Sequence, residues 1–187
     1  MLLKFLFLLN AASAFLFSDF THNKYIVKQQ HYDTVTYVPS SIGSPRIEGM
    51  RAVSPPKSQA TLEYDIYFDH QFEWVKGGKL PGVRGGDRKI TTTGCVIPQP
   101  KNAWSFRLMW RQNARISMYM YDQERTVRNE RCGLSRESKD WLLTKGVWHR
   151  LKLRVKVNSN ATAKDGLAQL FVNNSLVLER KGIQWYS

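Results

Sequence analysis

The sequence predicts an all-β protein, an antiparallel β-sandwich or jelly roll with a concave groove, and three observations carry that expectation. Most periodic segments alternate apolar and polar residues, the pattern of half-buried strands. Glycine, proline and paired asparagine interrupt them at short intervals, as turns require. No long segment keeps the spacing of an amphipathic helix.

In chain order, the opening MLLKFLFLLNAASAFLF has one cation at Lys4, an apolar run through Leu9 and a small-x-small sequence, Ala12-Ser13-Ala14. These are the parts of a secretory leader cut after Ala14, so residues 1–14 read as a signal peptide and the mature protein as secreted. No other stretch is long and apolar enough to span a bilayer, and no membrane partner is expected after cleavage. Residues 15–58, with Ser-Ser-Ile-Gly-Ser-Pro and Ser-Pro-Pro turn signals, read as an irregular leader ahead of one β-domain at 59–187. A length of 187 residues suits a single well-cored domain.

The strands of that domain follow. Leu62, Tyr64, Ile66 and Phe68 share one face. FEWVKGGKLPG, residues 72–82, reads as an amphipathic strand bearing Glu73 and Trp74, then a glycine-loosened turn presenting Lys76 and Lys79 before Pro81-Gly82. In WSFRLMWR the apolar set is Trp104, Phe106, Leu108 and Trp110; in RISMYMY it is Ile116, Met118 and Met120. VWHRLKLRVKVN places Val147, His149, Leu151, Leu153, Val155 and Val157 on one side and Arg150, Lys152, Arg154 and Lys156 on the other. LAQLFVNNSLVLER reads as two strands about Asn173-Asn174, because asparagine tolerates the positive φ of a tight hairpin.

A net charge of +13, from 28 Lys plus Arg against 15 Asp plus Glu, calls for an anionic partner. Nucleic acid, a membrane surface and an acidic polysaccharide all qualify, and secretion together with the dispersal of the cations along the chain disfavours nucleic acid. Groove residues of a jelly roll must lie on the parity opposite to the core. That parity holds Ser105, Arg107, Met109 and Arg111 on one strand and Ser117, Tyr119 and Tyr121 on the next. Paired as a hairpin, the two strands would set a serine, arginines and two tyrosines on one face.

The run KGGKLPG, a Ser-x-Arg strand and a Tyr-x-Tyr strand together resemble the family-14 polysaccharide lyases, over roughly residues 60 to 186. The resemblance implies β-elimination on uronic-acid polymers such as alginate or glucuronan, with Lys79, Ser105, Arg107, Tyr119 and Tyr121 catalytic. Glu73, Lys76 and Arg111 are expected to contact substrate, with pairing of Lys76 to Glu73 as the other reading. The chemistry suits these residue types. Elimination takes the proton from the carbon bearing the carboxylate, so negative charge grows there and must be met by fixed cations. Arg107 offers a planar fork and Lys79 a point charge on a mobile loop. A tyrosine becomes a base when neighbouring cations favour its phenolate, a field expected from Arg107 and Lys79. Tyr119 and Tyr121 then serve as an acid/base pair, or one of them serves both steps, and Ser105 orients the carboxylate or a hydroxyl.

No cofactor is required. His22, His31 and His70 have no ligand spacing with the cysteines, so no metal is expected, and His149 reads as a packed structural residue. An oxidising compartment allows a Cys95–Cys132 disulfide, with two free thiols as the alternative. Sequons at Asn160 and Asn173 are glycosylation candidates. The resemblance implies further strands beyond a GIQWYS-like segment, so this chain is expected to be a fragment or a shortened form. A second function therefore stands beside the lyase: a non-catalytic, secreted β-sandwich that binds acidic glycans.

Overall fold

The computed structural model describes residues 2–6, 26–28, 33–36, 57–75, 77–87, 90, 101–124 and 133–187. Its strands are β1 (Leu2–Leu6), β2 (Ile26–Lys28), β3 (Asp33–Thr36), β4 (Gln59–Phe68), β5 (Gly78–Gly86) and β6 (Ala103–Trp110), then β7 (Arg115–Tyr121), β8 (Leu134–Leu142), β9 (Trp148–Lys156), β10 (Gly166–Val172) and β11 (Ser175–Ile183). Among the described residues the only helical element is a 3-10 turn, Gln112–Ala114. The strands form two antiparallel sheets, ordered β11-β10-β9-β4-β1-β3-β2 and β5-β6-β7-β8. This is the expected all-β architecture.

The chain divides into two compact units. The first comprises Met1–Lys57, Glu63–Glu73 and Thr144–Leu151. Here β1 pairs with both β3 and β4, Leu3 opposite Val35 and Phe68. Strand β1 falls in the segment read as a signal peptide, and β2 and β3 fall in the stretch read as irregular. Tyr64, Ile66, Phe68, Phe72, His149 and Leu151 are buried, with the Phe68 and Phe72 rings 4.8 Å apart edge to face. Asp65 accepts a hydrogen bond from Arg150 Nε at 3.1 Å. After Phe68 the chain turns, Phe72 N–H donating to the Asp69 carbonyl at 2.9 Å and Gln71 N–H to its carboxylate at 3.0 Å. The strand expected around Glu73 and Trp74 is absent: residues 72–75 follow this turn without joining either sheet.

The second unit comprises Ser58–Leu62, Trp74–Leu143 and Lys152–Ser187, and it contains the sandwich that matters for function. The predicted parities hold: Phe106, Leu108, Trp110, Ile116, Met118 and Met120 are buried on one sheet, and Leu153, Val155, Ala168, Leu170 and Val172 on the other. Each such side chain, fully buried, contributes about 1.5–3 kcal/mol. Truncating Leu108 to alanine would cost about 2–5 kcal/mol, since a packed interior closes only partly over a cavity. The GIQWYS end closes this core. Trp185 is buried, its ring 5.0 Å from Trp104, its indole N–H donating to the Lys156 carbonyl at 2.9 Å. The buried Asn158 amide holds the same segment, accepting from Trp185 N–H at 2.8 Å and donating to the Tyr186 carbonyl at 3.0 Å. Asn173 and Asn174 take φ of 48° and 68°, as the hairpin turn between β10 and β11 requires.

One expectation changes in a way that bears on the site. Most of KGGKLPG is edge strand β5, not a mobile loop. A Cβ on Gly78 would lie 2.1 Å from the Trp110 ring and one on Gly85 2.5 Å from that of Trp104, so only glycine lets β5 lie this close to β6. Pro81 is tolerated because β5 is an edge, and the pairing shifts by a bulge between Lys79 and Gly82.

Candidate active site

Strands β6 and β7 pair in the register that parity anticipates, Ser105 opposite Tyr121, Arg107 opposite Tyr119 and Met109 opposite Ser117. On β5, Lys79 pairs with Met109 and Gly82 with Arg107, which puts Lys79 on the same face. Strand β8 adds Ser135 opposite Tyr119 and Glu137 opposite Ser117. Cations, phenols and hydroxyls thus share the face turned away from the core.

At its centre the Tyr119 and Tyr121 hydroxyls are 3.1 Å apart, their rings edge to face at 5.4 Å. Tyr121 is 2% exposed and Ser105 1%, whereas Tyr119 and Arg107 are half-buried and Lys79 is exposed. Arg107 Nη2 donates to Ser105 Oγ at 3.2 Å, and its guanidinium carbon lies 6.0 Å from the Tyr121 ring centroid. Ser105 therefore holds the arginine that faces the phenols.

Arg111 is fixed from several sides. It donates through Nε to Ser117 Oγ at 3.2 Å and through Nη2 to Ser135 Oγ at 2.6 Å, and Glu137 lies 3.6 Å from its Nε. Its guanidinium carbon is 5.9 Å from the Tyr119 ring centroid. So anchored, it sits beside Tyr119 as a fixed charge.

The electrostatics depart from expectation in one respect. Burial, then the hydrogen bond and charge interaction with Tyr121, push the Tyr119 hydroxyl well above the ordinary tyrosine range. Arg107 and Arg111 oppose this and lose. The expected field that would make Tyr119 a phenolate is outweighed by desolvation, so Tyr119 is held as a neutral proton donor.

Glu73 is exposed and belongs to the other compact unit. Lys76, Cys95 and Cys132 lie outside the described residues. Asn160 and Asn173 are exposed, and Asn160 Oδ1 accepts from the sequon hydroxyl of Thr162 at 3.0 Å. His149 is buried, its Nε2 2.9 Å from the carbonyl oxygen of Thr144 in the same compact unit. Three contributors were not foreseen from sequence: Ser135 and Glu137, which anchor Arg111, and Gly133. A Cβ on Gly133, at φ +97°, would lie 2.9 Å from Tyr121 and 3.0 Å from Tyr119, so its missing side chain makes room for both rings. Among the described residues no cluster of three His, Cys, Asp or Glu is placed to hold a metal ion.

The site is thus a set of fixed cations around a pair of phenols on an outer face of a β-sandwich. Residues 22–187 match the sequence model of polysaccharide lyase 14, and the chain belongs to that family. Solved structures share the fold. The alginate lyase Aly36B is 25% identical over 69% of this chain and 53% of its own, with a TM-score of 0.55. The alginate lyase vAL-1 from Chlorella virus is 22% identical over 70% and 57%, with a TM-score of 0.58. The marine PL-14 alginate lyase from Aplysia kurodai is 23% identical over 70% and 55%, with a TM-score of 0.59. The chain thus spans little more than half the length of each. No curated protein sequence matches it.

Proposed function

We propose that the protein is a secreted lyase that cuts uronic-acid polymers, alginate or glucuronan, by β-elimination. The observation that carries this reading is the Tyr119–Tyr121 hydroxyl pair at 3.1 Å, flanked by Arg107 and Arg111 on the face that also bears Lys79. Family membership supports it, as does Aly36B, a variant of which is solved in complex with alginate tetrasaccharide.

Arg107, steadied by Ser105, and Lys79 meet the substrate carboxylate and stabilise the charge that grows there. The elimination requires Tyr121 to act as the deprotonated base and Tyr119 as the acid. Tyr121 takes the proton from the carbon bearing the carboxylate, the bond from the neighbouring carbon to the glycosidic oxygen breaks, and Tyr119 protonates that oxygen. Tyr121, now a phenol, returns its proton to Tyr119 across the 3.1 Å bond. The cycle closes with one proton moved from carbon to oxygen and a double bond left in the sugar. Leader removal after Ala14, glycans on Asn160 and Asn173, and a Cys95–Cys132 bridge belong to the same reading of a secreted enzyme.

The test is to incubate the folded protein with alginate and with glucuronan and record the ultraviolet absorbance of unsaturated chain ends. Absorbance should rise on at least one polymer, and Tyr121→Phe and Lys79→Ala should each abolish the rise while melting like the parent. Binding with no absorbance on any uronate would replace the lyase by a glycan-binding sandwich.

A further inference from the structure

The function proposed above leaves a second cationic surface of the same compact unit unused. Lys152, Arg154 and Lys156 alternate on β9 with the buried Leu153 and Val155, so all three project from the outer face of the sheet β11-β10-β9, opposite its core side. Successive cations are about 6.6 Å apart along the strand. Like charges in such a row repel one another unless an anion answers them.

Carboxylates on the neighbouring strands are already engaged: on β4, Glu63 and Asp65 lie 3.6 and 3.1 Å from Arg150 Nε. On the same face of β10 and β11 the carboxylate is Glu179, which is already engaged by Lys181 at 3.0 Å and by the Gln169 amide at 2.6 Å. Among the described residues neither Lys152 nor Arg154 forms an ion pair. Asp165, which feels the charge of Lys156, accepts the Ser159 N–H at 2.8 Å. What β10 does supply is an aromatic surface, the half-buried Phe171 ring, with Lys152 Nζ 5.5 Å from its centroid.

We infer that this face is a second binding site for a linear carboxylated polysaccharide, separate from the tyrosine site on β6 and β7. A row of cations matches a polymer with a carboxylate on every sugar, and an apolar ring beside the row suits the C–H face of a pyranose. The choice of a uronate as ligand rests on the lyase reading; the site itself rests on β9 and β10. Its role is to retain the protein on polymer independently of the cutting site.

Retention is measured by affinity electrophoresis through gels containing alginate, polyglucuronate or neutral dextran, with duplex DNA as a further polyanion, all in a Tyr121→Phe background that keeps polymer intact. Two triple variants of equal charge are compared: Lys152→Gln/Arg154→Gln/Lys156→Gln, and Lys101→Gln/Arg136→Gln/Lys139→Gln on other exposed positions. The β9 triple should weaken retention on a uronate polymer about tenfold, and the other triple less than about twofold. The difference should fade at about 1 M salt, where charges are screened within about 3 Å. Dextran should retain none of them.

Equal weakening by the two triples would reduce the effect to bulk charge and overturn the inference, as would unchanged retention or a loss confined to DNA. Should the β9 triple fail to fold, Arg154→Gln alone decides: weaker retention than a Lys139→Gln control supports the site, and parity overturns it. A β9 effect in a protein that cuts no uronate would leave this site standing and sink the lyase reading.

Discussion

Replacing Tyr121 by phenylalanine removes one hydroxyl and leaves a ring of nearly the same shape, so its effect on Tyr119 is readable from the geometry. Three influences raise the Tyr119 hydroxyl, namely burial, the hydrogen bond with Tyr121 and the charge interaction with Tyr121, while Arg107 and Arg111 lower it. The substitution deletes the second and third and keeps burial and both arginines. A hydrogen bond is worth about 0.5–1.5 kcal/mol net, and about 1.4 kcal/mol moves a titration by one pH unit. The Tyr119 midpoint should therefore fall by up to about one pH unit yet stay above that of a free tyrosine, because burial remains. Phenolate absorbance is titrated in the parent, Tyr119→Phe, Tyr121→Phe and the double variant; the differences isolate Tyr119 with and without its partner. A Tyr119 that titrates at or below the ordinary tyrosine range in the parent, or that rises on loss of Tyr121, would refute the claim that burial outweighs the arginine field.

Other outcomes follow from the same geometry. Arg107→Lys keeps a charge but loses the fork held by Ser105 Oγ; kcat/KM on polymer should drop about 100-fold with Tm unchanged, and a drop under threefold would remove Arg107 from the site. Arg180 is 13% exposed and pairs with the fully buried Asp122 at 2.5 Å and with Glu124. Arg180→Met would leave the Asp122 carboxylate buried without its cation, costing about 3–5 kcal/mol and lowering Tm by on the order of 10 °C in thermal unfolding. Burial pushes the His149 imidazole below its ordinary range, against the bond to Thr144. Its neutral form stabilises the fold above the unfolded value near 6.5, and that contribution is lost as pH falls through this value towards the lower folded one. Acidification from neutral pH should thus lower Tm more in the parent than in His149→Gln, and equal slopes would exclude His149 as the cause.

Strand parity made much of this molecule legible. An alternating segment can bury only one face, so the core sets on β4, β6, β7 and β9 and the opposing row of Ser105, Arg107, Tyr119 and Tyr121 followed from residue order alone. Strand β8 is not legible because LSRESKDWL carries six successive polar residues, 135–140, as an edge strand permits, and with it went the anchoring of Arg111 by Ser135 and Glu137. β5 reads as a turn from its glycines; their purpose is instead the close approach to Trp104 and Trp110, a tertiary fact. The protonation of Tyr119 is not legible in the sequence for a like reason. Neighbouring cations can be counted in a sequence, but desolvation depends on what covers the hydroxyl after folding. The Asp122–Arg180 pair joins residues distant in the chain, and charge on a strand does not name its partner.

The central claim is elimination at the tyrosine pair, and the source of the oxygen in the new chain ends tests it most directly. Folded protein is incubated with alginate and with glucuronan in isotopically labelled water, and the oligosaccharides are weighed by mass spectrometry. Elimination predicts unsaturated oligosaccharides with no water added and no label, their formation lost in Tyr121→Phe. Label incorporated at the cut, or intact polymer from both substrates, would contradict the account.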